Sequence, residues 1–150
     1  MIVQSAVYGP LEISEEEVVT FVHGIPGFES LTRFAIAAPE GVEPFRIMQS
    51  LEQPEISFIL TSPYHFFPDY DFQLPEAVQE DLSIEKPDDI EVWNIVTVRG
   101  QIQDATVNLL APIIVNRKKR IGRQTILNES GYQLRHRIYP EQPAASAAEG

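Results

Sequence analysis

Three histidines, His23, His65 and His136, are the residues of this chain most suited to proton transfer or metal binding, and none sits at ligand spacing from another. No His-Glu-x-x-His pattern exists, and with no cysteine in the chain thiolate metal sites, disulfides and cysteine nucleophiles are excluded. Asp69 and Asp71 flank Tyr70 at i and i+2. In an extended segment that spacing turns both carboxylates to one face, where they could hold Mg²⁺ or Ca²⁺ if further oxygens converged. Pro68 precedes them and no other acid follows before Glu76, so the segment reads as a solvated loop with Tyr70 turned inward. Acids are abundant, but no sugar-stacking platform accompanies them, and no glycine-rich phosphate loop, nucleophile elbow or dinucleotide fingerprint appears. The residues point away from an enzyme and name no cofactor.

Recognition chemistry is better represented. Gly24-Ile25-Pro26-Gly27-Phe28-Glu29 places two glycines around a proline, the composition of a type II turn with Gly27 at positive φ. The flanking Ile25 and Phe28 either anchor this turn in the core or leave Phe28 as an exposed binding anchor beside Glu29. Phe66-Phe67-Pro68 is an aromatic run that a surface seldom exposes without cause, although burial at a barrel end also accounts for it. Arg117-Lys118-Lys119-Arg120 follows an apolar run, and reads as the hydrated turn of a hairpin whose lysines discourage edge pairing.

Charge is divided unevenly along the 150 residues. Residues 1–116 carry 19 acids against four bases, a net of −15, whereas residues 117–150 carry a net of +4. An acidic body repels phosphate and attracts basic partners. Nucleic-acid binding through the basic run is disfavoured further because no aromatic residue lies between Trp93 and Tyr132 to stack on bases. No apolar run approaches the roughly 18 residues of a membrane span, and the N-terminus shows no basic region followed by an apolar stretch. A cytoplasmic protein is expected.

The elements that must position these residues are mostly short strands. Alternation and β-branched residues mark 2–7, 17–22, 33–37, 45–49, 56–61, 91–98, 105–109, 113–116, 120–127 and 133–138 as strands. Gly9-Pro10 reads as a break, and Ser14-x-x-Glu17 offers a capping box as an alternative to an early strand start. Residues 75–82 form the best helix, with Pro75 at its first position and Leu74, Val78 and Leu82 on one side. Trp93 is the largest core candidate. The expected fold is mainly β: a single compact antiparallel barrel-like or sandwich domain over 1–139 with one short helix. PEQPAASAAEG (140–150) reads as a disordered tail.

Several stretches, taken in order, resemble one family: "FVHGIPGFE" (21–29), "PFRIMQSLEQPEISFIL" (44–60), "DYDFQLPE" (69–76), "NLLAPIIVN" (108–116), "GRQTIL" (122–127) and "YQLRH" (132–136). Their order and spacing are similar to the flagellar assembly factor FliW family, from about residue 2 to 138. The resemblance implies a compact, mainly β regulator without enzymatic activity. It further implies that the chain binds flagellin and CsrA, a small basic, dimeric RNA-binding repressor, and so couples flagellin translation to flagellin secretion. Under this reading Phe28, Glu29, Phe66, Phe67, Tyr70, Asp71 and Asn116 are the candidate contacts, and the free protein is a monomer. The rival from another class is a barrel binding a small ligand, or a metal at Asp69 and Asp71.

Overall fold

Apolar residues on strands of two to eight residues give the sheet an inner face to bury, and the chain buries it by rolling the sheet into a ring. The computed structural model describes residues 1–139; the expected tail, 140–150, lies outside the described residues. The strands are β1 (Ile2–Ser5), β2 (Gly9–Glu12), β3 (Val18–Thr20), β4 (Arg33–Ala37), β5 (Arg46–Ser50), β6 (Ser57–Thr61), β7 (Ile90–Thr97), β8 (Thr106–Val107), β9 (Ile113–Asn116), β10 (Ile121–Gln124) and β11 (His136–Arg137). Two short helices, α1 (Pro63–Phe66) and α2 (Glu76–Asp81), lie between β6 and β7.

Seven strands close the barrel in the order β3-β4-β5-β6-β7-β9-β10. β7 is long enough to fork: its first half, Ile90 to Trp93, pairs with β9, while Val96 and Thr97 pair with β8. β8 and β11 thereby form a flap outside the ring. The expectation of a purely antiparallel sheet needs one correction. β10 returns to β3 in parallel, with Ile121 opposite Thr20 as the single registered pair. The edge-protection reading of the basic turn is corrected as well, because β9 and β10 are both interior strands of the ring.

Register carries the core. Ile36 lies opposite Met48, Leu60 opposite Ile95, and Ile113 opposite Trp93. With Val19, Phe21, Phe34 and Val115 these residues form one apolar cluster. Gly122 admits the large neighbours: a Cβ there would meet the Phe21 ring and Val19 at 3.1 Å and the Ile114 carbonyl oxygen at 3.0 Å.

Three smaller clusters cover the outside of the barrel. The β1–β2 hairpin lays Val3 and Leu11 with Ile13 on Val18, Ala35 and Ala37. Gly9 at φ 71 opens β2, so Gly9-Pro10 begins a strand where a break was expected. The helix α2 packs Val78 and Leu82 on Ile114. Six residues are too few for an autonomous helix, so burial of those two side chains, roughly 1.5–3 kcal/mol each, holds it in place. Pro75 stands one residue before the helix as its cap, with its carbonyl accepting the Val78 and Gln79 N–H groups. Glu15–Glu17 make a single 3-10 turn ahead of β3, and the Glu17 carboxylate accepts the Ser14 N–H at 2.9 Å. The capping reading and the strand reading were therefore adjacent features of one segment.

Candidate partner-binding surface

The turn at residues 24–29 has the chemistry its glycines require. The Phe28 N–H donates to the Ile25 carbonyl at 2.6 Å across Pro26 and Gly27, with Gly27 at φ 87. Ile25 is buried, and the half-buried Phe28 ring meets Phe58 edge-on at 5.5 Å, so Phe28 closes over the core cluster. Glu29 is exposed, but one of its carboxylate oxygens accepts the Gly27 N–H at 3.0 Å. That bond, with one from its own backbone N–H, lowers the Glu29 pKa. The loop is pinned beyond the turn: His23 Nε2 lies 3.0 Å from the Asp81 carboxylate, which also accepts Arg123 at 3.1 Å. An ionised carboxylate only accepts, so Nε2 carries the proton. The His23 bond first, and Arg123 after it, hold the Asp81 pKa below its ordinary value.

The aromatic segment is a buckle on the flap side of the barrel. Phe66 ends α1, a second helix where only one was expected, and stacks on Phe45 at 6.0 Å and edge-on to Tyr139 at 5.7 Å. Phe67 faces His136, whose pKa is lowered by burial. Tyr70 is buried and its hydroxyl donates to the Leu109 carbonyl at 2.7 Å; burial pushes its phenol up to about 12. The Tyr132 hydroxyl accepts the Asp71 N–H and donates to the Asp71 carbonyl, both at 3.1 Å. Asp69 and Asp71 are exposed, and among the described residues no three His, Asp or Glu side chains converge to hold a metal ion.

Asn116 is enclosed, at 2% exposure. Its amide nitrogen donates to the Leu82 carbonyl at 2.8 Å and the Ser83 carbonyl at 3.3 Å, capping the end of α2. Its oxygen accepts the Lys118 and Lys119 N–H groups, both at 3.0 Å, which shapes the basic turn. The turn's cations are also tied inward: Lys118 to Asp89 at 3.5 Å, Arg120 to Glu91 at 2.9 Å, and the Arg117 guanidinium to the Ile90 carbonyl at 3.1 Å.

These candidates do not assemble into one site. Phe28 belongs to the barrel interior, Phe66, Phe67 and Tyr70 to the cluster under the flap, and Asn116 to the α2 contact. Glu29 and Asp71 alone present exposed charged groups. One arrangement was missed in the sequence. At one mouth of the barrel a groove of about 890 Å³ opens over Trp93. There the Trp93 indole N–H donates to Glu91 at 3.0 Å, Glu91 pairs with Arg120, and the Arg46 guanidinium lies 5.7 Å from the Trp93 ring. Arg46 continues the inward series of Met48 along β5, a register signal that marks a charged residue at the barrel rim. Interleaved charges and an aromatic face suit recognition of a protein surface, and no nucleophile with an adjacent base stands among these residues.

Comparison with known proteins identifies the family. The family model described as FliW protein matches residues 2–138. A flagellar assembly factor FliW from Desulfitobacterium hafniense (strain DSM 10664 / DCB-2) is 41% identical over 100% of this chain and 99% of its own. One from Bacillus pumilus (strain SAFR-032) is 43% identical over 91% of this chain and 94% of its own. A crystal structure of the flagellar assembly factor FliW superposes with a TM-score of 0.87 at 37% identity, covering 95% of this chain and 99% of that one. On sequence and on fold together, the chain belongs to the FliW family of flagellar assembly factors.

Proposed function

We propose that this chain is a cytoplasmic protein-binding regulator, without enzymatic activity, that binds flagellin and binds and antagonises CsrA. Rising free flagellin would occupy the factor and release CsrA to repress flagellin translation, and secretion of flagellin would reverse this. The observation that carries the CsrA half is the charge distribution, −15 over residues 1–116, which suits a partner that is basic because it grips RNA. Opposite charges raise the association rate and fix orientation. The docked acids would also repel RNA phosphates from the adjoining surface, so antagonism would not require covering the RNA site. Glu29 and Asp71 are the exposed acids assigned to this contact, with Phe28 beside the first and Phe66, Phe67 and Tyr70 packed beside the second, while Asn116, the remaining candidate, shapes the basic turn. Among the described residues no helix is long and apolar enough to cross a membrane.

Titration calorimetry against CsrA from low to high salt tests the reading. Affinity should fall as salt rises, and Glu29→Lys with Asp71→Lys should weaken it further. Binding that ignores both salt and charge reversal would refute the electrostatic account. Co-purification with flagellin tests the other half.

A further inference from the structure

A second groove lies apart from the barrel mouth and differs from it in kind. It encloses about 360 Å³ between the β1–β2 hairpin, the loop before β5, and the turn that follows β7. Tyr8, Val42, Phe45, Ile59, Ile102 and Tyr139 line it, and among the described residues its single charged lining residue is Glu43. Ile102 is 44% exposed, and Val7, next to Tyr8 at the hairpin tip, is 68% exposed. The floor is packed from beneath, where Phe45 stacks on Phe66 and Phe66 packs on Tyr139. The loop is ordered too: Glu43 accepts the Gly41 N–H at 2.9 Å, and the Phe45 N–H donates to the Val42 carbonyl at 2.9 Å. A preformed apolar groove with exposed aliphatic residues at its rim is the form in which proteins receive an amphipathic segment.

Charge indicates the occupant. Glu43 and the neighbouring exposed Glu40 enter no ion pair among the described residues, and no lysine or arginine lines the groove. At the barrel mouth, by contrast, four acids and four bases interleave and part of them pair with one another. We infer that the groove between Tyr8, Phe45 and Ile102 docks an amphipathic segment of the basic partner, with aliphatic side chains on the floor and lysine or arginine beside Glu40 and Glu43. This rests on the reading that the chain binds CsrA, and adds a second contact, apart from Glu29 and Asp71, at which an apolar anchor is made.

The test is calorimetry of the full chain against CsrA and, separately, flagellin, with Ile102→Ser, Glu40→Lys and the control Ile126→Ser, which is exposed outside this groove. Ile102→Ser should weaken CsrA binding at least about tenfold, as removal of an apolar anchor does. Glu40→Lys, on an exposed residue, should weaken it about threefold and flatten its salt dependence. Ile126→Ser should leave it unchanged. Should Ile102→Ser shift the urea midpoint, Glu40→Lys decides. Unchanged CsrA binding in both groove variants overturns the inference and leaves the proposed function standing. A loss confined to flagellin overturns the choice of occupant, and an equal loss in the control overturns the groove. Failure of the unmodified chain to bind CsrA removes the functional reading, and this inference with it.

Discussion

Arg120 pairs with Glu91 at 2.9 Å from a backbone held at φ 54, so the residue that closes the rim of the barrel does so in a conformation that favours glycine. Each side chain of the pair is 20% exposed, and Glu91 also accepts the Trp93 indole N–H. Arg120→Ala should lose the ion pair and keep the strain, costing roughly 1–3 kcal/mol. Arg120→Gly should lose the pair but relieve the strain, and so be less destabilised by about 1 kcal/mol. Urea unfolding of the two variants measures the difference; a glycine variant as unstable as the alanine variant would contradict the strain argument.

Asn116 should behave as a structural clamp. Asn116→Ala removes donors to the Leu82 and Ser83 carbonyls and leaves two N–H groups of the turn without their acceptor. The expected loss is roughly 2–4 kcal/mol. Asn116→Asp keeps the acceptor but sets a buried carboxylate against two carbonyl oxygens, and should be the worse of the two. Thermal and urea unfolding rank them.

The glycines of the 24–29 turn should separate cleanly. A Cβ at Gly24 would stand 2.6 Å from Glu29 Cα and 2.7 Å from its carbonyl oxygen, on a backbone at φ 68. Backbone atoms cannot swing aside, so Gly24→Ala should cost roughly 3 kcal/mol or more and displace Glu29. Gly27, at φ 87, has nothing within 4 Å of a new Cβ, so Gly27→Ala should cost about 1 kcal/mol. Chemical denaturation gives both values, and equal losses would dismiss the steric account of Gly24.

Stability should fall in two pH windows. His136 is held neutral by burial, with its pKa depressed, and its Nε2 accepts the Gln133 N–H at 2.8 Å. The unfolded chain therefore takes up this proton first, and stability drops as pH falls below about 6.5 toward the folded value. Asp81 and Glu52 are depressed by hydrogen bonds, from His23 and from the Arg33 N–H respectively as the largest causes. Their contribution is present above about pH 4 and is lost below it, as pH falls through their folded values. Urea midpoints measured from pH 8 to pH 3 should show both steps, and His136→Gln should remove the upper one.

Much of this architecture was legible because strand alternation is a local signal. The spans 33–37 and 113–116 match β4 and β9, and the composition of the 24–29 turn matches its geometry. What escaped was set by contacts remote in sequence. Arg46 reads as an ordinary strand residue until β6 and β7 bring Trp93 beneath it. Trp93 reads as core on its size, and it does pack on the core cluster opposite the buried Ile113, but it is half-buried because its other side opens to the groove at the barrel mouth. Asn116, at the end of a strand and before the basic turn, reads as a candidate partner contact, and only the end of α2 at Leu82, 34 residues earlier, encloses it. Phe45, Ile102, Tyr8 and Tyr139 carry no common motif, since four separate segments supply them.

The parallel seam between β3 and β10 has a consequence for how the ring is made. Thr20 and Ile121 are the one registered pair across it, so the ring cannot close until residues near opposite ends of the chain meet. Such closure carries a large loop entropy and rewards it with few bonds, which makes the seam a late step in folding and an early one in opening. During synthesis the free edge of β3 stays without its partner until β10 has emerged, and amide exchange at the seam should outpace exchange across the β5–β6 pairing on the far side of the ring.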